Sequence, residues 1–509
     1  MPQSFLASGQ KLHCVSYAPF RSEQNPLDAL TRIEPWQIEE DLARLSRITG
    51  CIRTYSTEHG LDQIPEIARH QGLKVLQGLW LSSHPEKNRV QIETTIALAK
   101  RFPDVIQAVI VGNEVLLRGE LAATDLHNII RRVRAAIDIP VTYADVWEFW
   151  LKNRDLASAV DFVTVHILPY WEDFPIPAET AAAHVDSIHR LVVQAFPGKD
   201  ILIGEVGWPS AGRMRAGALP SPANQARVLT DVLAAAERGH YRVNLIEAFD
   251  QPWKRRLEGT VGGHWGLFAT GAHEPKFVWG AAVSNHPFWR WQATGGIVLA
   301  GLVLAAAFMA RGARQPDNLS NLQWSGIALN ATVAGILAGL VIEKVPLESL
   351  GAGGWIHSLA LAAVAIASPV AGAAALARAR PAPVFSRSLG RAAERPADPL
   401  SLMLGLLLVT LMLLALHSAL GLIFDPRYRD FPYAPLTAAM MPYLVLSCFH
   451  WRMEGRREAA ETIAAAALAL SAGYIVFNEG FANWQALWLA LAFGCLAFIL
   501  LRARDAQSS

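Results

Sequence analysis

The sequence predicts an α/β chain: a (β/α)8 TIM barrel followed by an all-α domain with about seven transmembrane spans. Over residues 11–285 short β-branched or apolar runs alternate with longer amphipathic ones, the pattern of repeated βα units. Eight such pairs in this length match a (β/α)8 barrel, which takes about 250 residues. From residue 293 onward, uncharged apolar segments recur at lengths that suit a hydrocarbon core ~30 Å thick. Charge divides at the same place. Residues 1–290 hold 30 Lys plus Arg and 32 Asp plus Glu, whereas residues 291–509 hold 15 and 12. The predicted domains are therefore 1–285, the barrel, and 286–509, the membrane-spanning helices. With a net charge of +1 overall, no large basic surface is available to neutralise phosphates, which excludes nucleic acid as a partner.

The predicted strands are Leu12–Tyr17, Cys51–Tyr55, Leu73–Trp80, Val105–Gly112, Pro140–Tyr143, Phe162–Ile167, Ile201–Gly204 and Val243–Phe249. Helical stretches between them include Pro35–Ile48, with proline in the first turn, Val90–Phe102, Leu121–Ile137, Glu179–Phe196 and Pro222–Arg238. The spans fall near 293–310, 324–342, 355–377, 400–424, 434–449, 459–477 and 482–501, the fifth being short. Trp291, Trp324, Trp355, Trp451 and Trp484 lie near their ends, where an indole can be half wet and half apolar. Glu461 and His417 are the main ionisable residues inside them, and they form no chain of groups for an ion path. A tether or assembly platform is the expected role, with a carbohydrate channel as the sharper alternative.

Orientation follows from positive residues in short loops. Seven spans place Arg311, Arg314, Arg378, Arg380, Arg387, Arg391, Arg395, Arg452, Arg456, Arg457, Arg502 and Arg504 on one side, against Lys344, Arg427 and Arg429 on the other. The expectation is an integral protein of a bacterial inner membrane with a periplasmic barrel and a cytoplasmic C-terminus. Against it, Met1–Phe20 contains no basic stretch followed by an apolar one, as a secretory signal would. A span count off by one would put the barrel in the cytoplasm. Cys14, Cys51, Cys448 and Cys495 show neither metal spacing nor a disulfide framework. Cys14 and Cys51, on adjacent predicted strands, could in principle meet, but are expected as two buried thiols.

In this fold the chemistry sits where strands end. Those ends bring Tyr17; Arg53 and Tyr55; Asn113 and Glu114; Tyr143 and Asp145; His166, Tyr170 and Trp171; Glu205 and Trp208; and Trp253 and Lys254 toward one mouth. Cleaving a glycosidic bond needs one carboxylic acid to protonate the leaving oxygen and a second carboxylate to meet the oxocarbenium-like centre. Glu114 and Glu205, on strands four and seven across the mouth, are the natural pair: Glu114 as acid/base and Glu205 as nucleophile. Tyr170 is the expected hydroxyl donor to Glu205, and Asn113 the partner of a sugar 2-hydroxyl. Trp171, Trp208, Trp253 and Tyr55 would offer faces to pyranose rings. No metal and no cofactor are called for.

The passages VIVGNEVLLRGE, DFVTVHILPYWE, ILIGEVGWPSAG, NLIEAFDQPWK and HWGLF, across residues 105–268, resemble glycoside hydrolase family 17, the β-1,3-glucanases and related glucosyltransferases. The resemblance covers about 11–285 and leaves the membrane half outside. It implies Glu114 in the proton-donor position, Glu205 in the nucleophile position, and retention of configuration through a covalent glucosyl-enzyme. Two departures bear on linkage preference. His166-Ile167-Leu168-Pro169-Tyr170 stands where plant members tend to read N-I-Y-P-Y, and Gln251 stands where many members have glutamate. The leading expectation is hydrolysis of β-1,3-glucan, and the close alternative is a transglucosylase that elongates, branches or cyclises it. A non-catalytic glucan-binding membrane protein is the second alternative. Expected partners are a β-glucan chain and the lipid bilayer; any partner in glucan synthesis or export is unidentified.

Overall fold

Eight parallel strands close on themselves: β1 Cys14–Ser16, β2 Cys51–Arg53, β3 Lys74–Leu79, β4 Ile106–Asn113, β5 Val141–Val146, β6 Val163–His166, β7 Ile201–Val206 and β8 Arg242–Leu245, with β8 pairing back onto β1. A helix follows each in turn: α1 Pro35–Leu45, α2 Ile64–His70, α3 Pro85–Arg101, α4 Ala123–Arg134, α5 Trp147–Lys152, α6 Ala178–Ala195, α7 Pro222–Gly239 and α8 Arg255–Gly262. The structure, a computed structural model, describes residues 10–270, 274–311, 319–391, 395–450, 453–502 and 504–505. It divides into two compact units, Met1–Asn285 and His286–Ser509.

Both faces of a parallel barrel strand are buried, so these strands read as unbroken apolar runs rather than alternating ones. Side chains still alternate between two layers. Cys14, Cys51, Leu76, Ala108, Ile110, Ala144 and Leu202 fill the barrel interior. Their neighbours Val15, Ile52, Val75, Val109 and Ile203 face the helices. Register breaks at Ile110/Asn113 between β4 and β5, at Val165/His166 between β6 and β7, and at Ile203/Val206 between β7 and β8. These irregularities fall toward the C-terminal ends of the strands, where a bulge re-aims a side chain.

Cys14 and Cys51 are joined by a disulfide, with Cα atoms 4.4 Å apart, so the expected pair of thiols is corrected. Val15 pairs with Ile52 across β1 and β2. One residue earlier, the same register sets the two cysteines opposite each other inside the barrel.

The second unit is helical: α9 Trp289–Arg311, α10 Asn321–Glu348, α11 Gly351–Ala377, α12 Phe385–Leu389, α13 Pro399–Phe424, α14 Tyr433–His450, α15 Ala459–Glu479 and α16 Trp484–Leu501. A two-residue strand, β9 Arg456–Arg457, pairs with β10 Arg504–Asp505. Among the described residues, six helices are long and apolar enough to cross a membrane: α9, α10, α11, α13, α15 and α16. The fifth expected span falls on α14, whose apolar stretch Tyr433–Cys448 is shorter than these, and most of its described side chains are buried within the unit.

Contacts at the helix ends show that α14 nevertheless alternates in direction with its neighbours. At one end Gln292 of α9 donates to Glu343 of α10 at 2.8 Å, Lys344 lies over the Tyr433 ring that opens α14, and that ring meets Trp484 at the start of α16. At the other, Arg378 donates to Ala310 O, Gln323 to Leu376 O, and Arg457 to Leu501 O. Tyr443, further along α14, donates to Leu404 near the start of α13. Among side chains named for the orientation argument, those of Arg314, Arg452 and Arg504 lie outside what is described, as do Trp451 and residues 1–9.

Glu461 is not an isolated intramembrane charge. Its Oε1 accepts from the Ser386 amide at 2.8 Å in the first turn of α12, and its Oε2 from the Glu458 amide at 3.1 Å. A carboxylate capping two helix starts is well placed on electrostatic grounds. His417 lies against His357, ring centroids 4.8 Å apart.

Candidate active site

The turn that closes β4 sets Glu114. Gly112 has φ +89° and Glu114 φ +51°, both in the left-handed region. A Cβ on Gly112 would come within 2.6 Å of the Val115 side chain, so only glycine fits. For Glu114 the same conformation carries strain, which a structure tolerates where its surroundings over-determine the backbone. They do here. The Glu114 amide donates to Ala144 O, and the Leu116 and Leu117 amides donate to Asp145 Oδ2. The Tyr143 hydroxyl bonds the same oxygen. Arg118 adds a brace, donating to Asn113 O and Leu81 O while its guanidinium lies 4.1 Å from the Trp80 ring centre.

Glu205, near the end of β7, faces this turn, and its side chain is only 6% exposed against 21% for Glu114. Arg53 of β2 reaches it from inside the barrel: Nη1 donates to Glu205 Oε1 at 3.1 Å and to Gly204 O, while Nη2 donates to Asn113 Oδ1 at 2.6 Å. The Tyr55 hydroxyl lies 2.8 Å from both Glu205 Oε1 and Ser16 Oγ, and its single proton goes to the carboxylate. His166, fully buried at the end of β6, bonds Glu114 Oε1 through Nδ1 at 2.7 Å and meets Arg53 Nη1 through Nε2 at 3.1 Å. Among the described residues, Oε2 of each glutamate carries no hydrogen bond. Each carboxylate is therefore held by one oxygen and has the other free.

Burial alone would push the Glu205 carboxyl up. The charge around it, from the His166 ring when it carries a second proton, from Arg53 and from Lys254, together with the Tyr55 hydroxyl, offsets this and holds Glu205 below the ordinary carboxylate range. Lys254 also lies 2.9 and 3.0 Å from the two oxygens of Glu247. Burial pushes Glu247 up to about 7 in spite of that cation. Ligand atoms of Glu114, His166 and Glu205 all lie within 4.8 Å of one another, a spacing compatible with a metal ion. The Arg53 guanidinium already occupies the space against two of them, and a metal cation there would meet its charge.

The structure brings Glu114, Glu205, Arg53, Tyr55, Asn113 and His166 into direct contact or one bond apart. Other predicted residues lie elsewhere. Tyr170 is buried and donates to Arg213 O rather than to Glu205; Tyr55 holds that place because β2 ends beside β1 and Ser16. Trp208 is fully buried, its indole bonding Leu219 O, so it presents no face to a sugar. Tyr17 is buried and donates to Asp41, while Tyr143 and Asp145 support the Glu114 turn from behind. Trp171 is half-buried between Trp265 and the Arg215 guanidinium, and Trp253 is half-buried with its indole bonded to Gln251. Ser16, Arg118 and Glu247 were not among the predicted site residues. Glu247 does stand in the strand-eight run that faces the mouth, which was the available signal.

A parallel (β/α)8 barrel with two opposed carboxylates at the C-terminal ends of β4 and β7 defines the class: a glycoside hydrolase-type barrel. Comparison with known proteins points the same way. Residues 14–266 match the BtgE/BtgC glycoside hydrolase domain. A probable β-glucosidase btgE of Aspergillus fumigatus is 29% identical over 226 residues, 43% of this chain and 39% of its own length. A glucan 1,3-β-glucosidase of Saccharomyces cerevisiae is 26% identical over 256 residues, 46% of this chain and 81% of its own. The match thus spans about two fifths of the Aspergillus relative. A β-1,3-glucanosyltransferase mutant of Rhizomucor miehei bound to laminaritriose is similar over 53% of this chain and 98% of its own, at 24% identity and a TM-score of 0.47.

Proposed function

We propose that the barrel cleaves β-1,3-glucan by double displacement. The observation that carries this reading is the spacing: one oxygen of Glu114 lies within 4.8 Å of one oxygen of Glu205, and each carboxylate is held by one oxygen and open at the other. So short a separation suits direct attack on the sugar, whereas an inverting pair stands ~6.5 to 9.5 Å apart to admit water. Glu205 Oε2 attacks the anomeric carbon as the bond to the leaving oxygen breaks, and Glu114 Oε2 gives its proton to that oxygen. Glu114 then takes a proton from the acceptor that releases the sugar from Glu205. The Asn113 amide nitrogen, its oxygen already taken by Arg53, is the group left for the 2-hydroxyl.

Whether that acceptor is water or a second glucan decides between hydrolase and transglucosylase, and the first half-reaction is common to both. With β-1,3-oligoglucosides as donors, shorter products alone mean hydrolysis and products longer than the donor mean transfer. Either outcome requires Glu205: the Glu205→Ala variant should lose at least three orders of magnitude in turnover, and unchanged turnover there removes the mechanism.

The helical unit anchors the barrel in a membrane, on the non-cytoplasmic face. Two independent features support this side. The basic end of the bundle is the one remote from Trp289, where the chain arrives from residue 285. The disulfide inside the barrel belongs to an oxidising compartment.

A further inference from the structure

We infer that His166 is a positioning residue that dictates which oxygen of Glu114 carries the catalytic proton; this rests on the function proposed above. The argument starts from the imidazole's two neighbours. Nε2 faces Arg53 Nη1 at 3.1 Å, and a guanidinium has donors but no acceptor. One of the two Nη1 hydrogens is shared between Nε2 and the carbonyl or carboxylate oxygen beside it, and the ring nitrogen that faces this donor offers its lone pair. The proton of the neutral ring then sits on Nδ1, 2.7 Å from Glu114 Oε1, and is donated to that oxygen. With Oε1 engaged as an acceptor, the acidic proton of Glu114 belongs on Oε2, the oxygen left open toward Glu205.

The same bond gains strength along the reaction. As the Oε2 proton passes to the leaving oxygen, Glu114 becomes a carboxylate, and the Nδ1–H contact becomes a charge-assisted hydrogen bond. An interaction stronger in the transition state than in the ground state lowers the barrier. Nothing in the surroundings lets the ring turn away. It is fully buried, a Cβ on Gly204 behind it would come within 3.3 Å of His166 Cδ2, and Arg53, which orients it, is itself fixed by Gly204 O, Glu205 and Asn113. His166 thus ties the proton donor to the arginine that holds the nucleophile, and it does so without contacting sugar.

Leaving-group dependence tests this. A laminari-oligosaccharide has a poor leaving group that must be protonated, whereas 2,4-dinitrophenyl β-laminaribioside has one that departs without protonation. The His166→Leu variant should lose about 10²-fold in kcat/KM on the oligosaccharide, the scale of one preplaced donor, but less than about fivefold in kcat/KM on the aryl glycoside, whose kcat is instead set by the second half-reaction, where Glu114 acts as base. The His166→Gln variant, whose amide oxygen can accept from Arg53 while its NH2 donates to Glu114, should recover the oligosaccharide rate to within about tenfold of wild type. Equal losses on both substrates in both variants, or full oligosaccharide activity in His166→Leu, overturn the inference while leaving the proposed function standing. A wild-type protein that turns over neither substrate removes the proposed function and this inference together.

Discussion

Tyr55 is the residue on which the geometry of Glu205 most simply depends. Its hydroxyl is one of two donors on Glu205 Oε1, and a hydrogen bond to a charged group contributes about 1.5 to 3 kcal/mol. Tyr55→Phe should lower kcat about ten- to hundredfold with a smaller change in KM, as steady-state kinetics on a β-1,3-oligoglucoside would measure. Asp41 makes a separate prediction about stability. Burial lifts its carboxyl to about 7 although Arg21 and the Tyr17 hydroxyl oppose the rise, whereas in an unfolded chain it titrates near about 4. Between those values the folded protein holds the proton more tightly than the unfolded one, so this group's contribution to stability falls as pH rises from about 4 to about 7 and is flat above. Asp41→Asn should therefore flatten the decline of the barrel's thermal midpoint over that window. An identical decline in variant and wild type would place the pH dependence elsewhere. At this scale the convergence of Glu114 and Glu205 on one site was legible because strand position and carboxylate chemistry pick them out together. Tyr170 and Trp208 were not, since whether an aromatic side chain at a strand end turns outward or into packing depends on neighbours distant in sequence, here Arg213 and Leu219.

Elements were more legible than residues, and the reason is the barrel's two-sided burial. All eight predicted strands overlap observed ones, because a short apolar run bounded by amphipathic helices has one stable place in a closed parallel sheet. What the pattern could not give is the local slip between strands at β4/β5, β6/β7 and β7/β8, and that slip aims Asn113, His166 and Glu205. β7 makes the point concrete. Gly204 leaves room where a methyl group would strike Thr164 Cγ2 and approach Arg53 Nη1 to 3.4 Å, while its carbonyl accepts from both Arg53 and Asn244. Gly204→Ala should cost about 1 to 3 kcal/mol of barrel stability by overpacking, read from chemical denaturation. It should also displace Arg53 and depress turnover in protein that remains folded. A variant with wild-type activity and stability would mean that the strand relaxes around the added carbon.

Over the whole molecule, two kinds of chemistry that share no residues bear on the sidedness proposed above. Charge is one: Arg311, Arg378, Arg380, Arg387, Arg391, Arg395, Arg456, Arg457 and Arg502 gather at one end of the helical unit, while Arg290, Lys344, Arg427 and Arg429 lie toward the other. Sulfur is the other: the barrel's two cysteines are bonded, and the helical unit's Cys448 and Cys495 are free. The direction of α14 links them, because an antiparallel set of seven helices sends the chain out at the end opposite to the one it entered. Apolar length alone gives six clear spans and leaves that direction open; the contacts of Tyr433 and Tyr443 supply it. In a bacterial host, a fluorescent protein fused after Ser509 should fold and fluoresce in the cytoplasm, and an alkaline phosphatase fused there should stay inactive. Alkylation of the denatured, unreduced protein should modify two cysteines, rising to four after reduction. An active phosphatase fusion together with four thiols available before reduction would place the barrel in the cytoplasm, and a glucan-cleaving site there would have to meet its substrate before export.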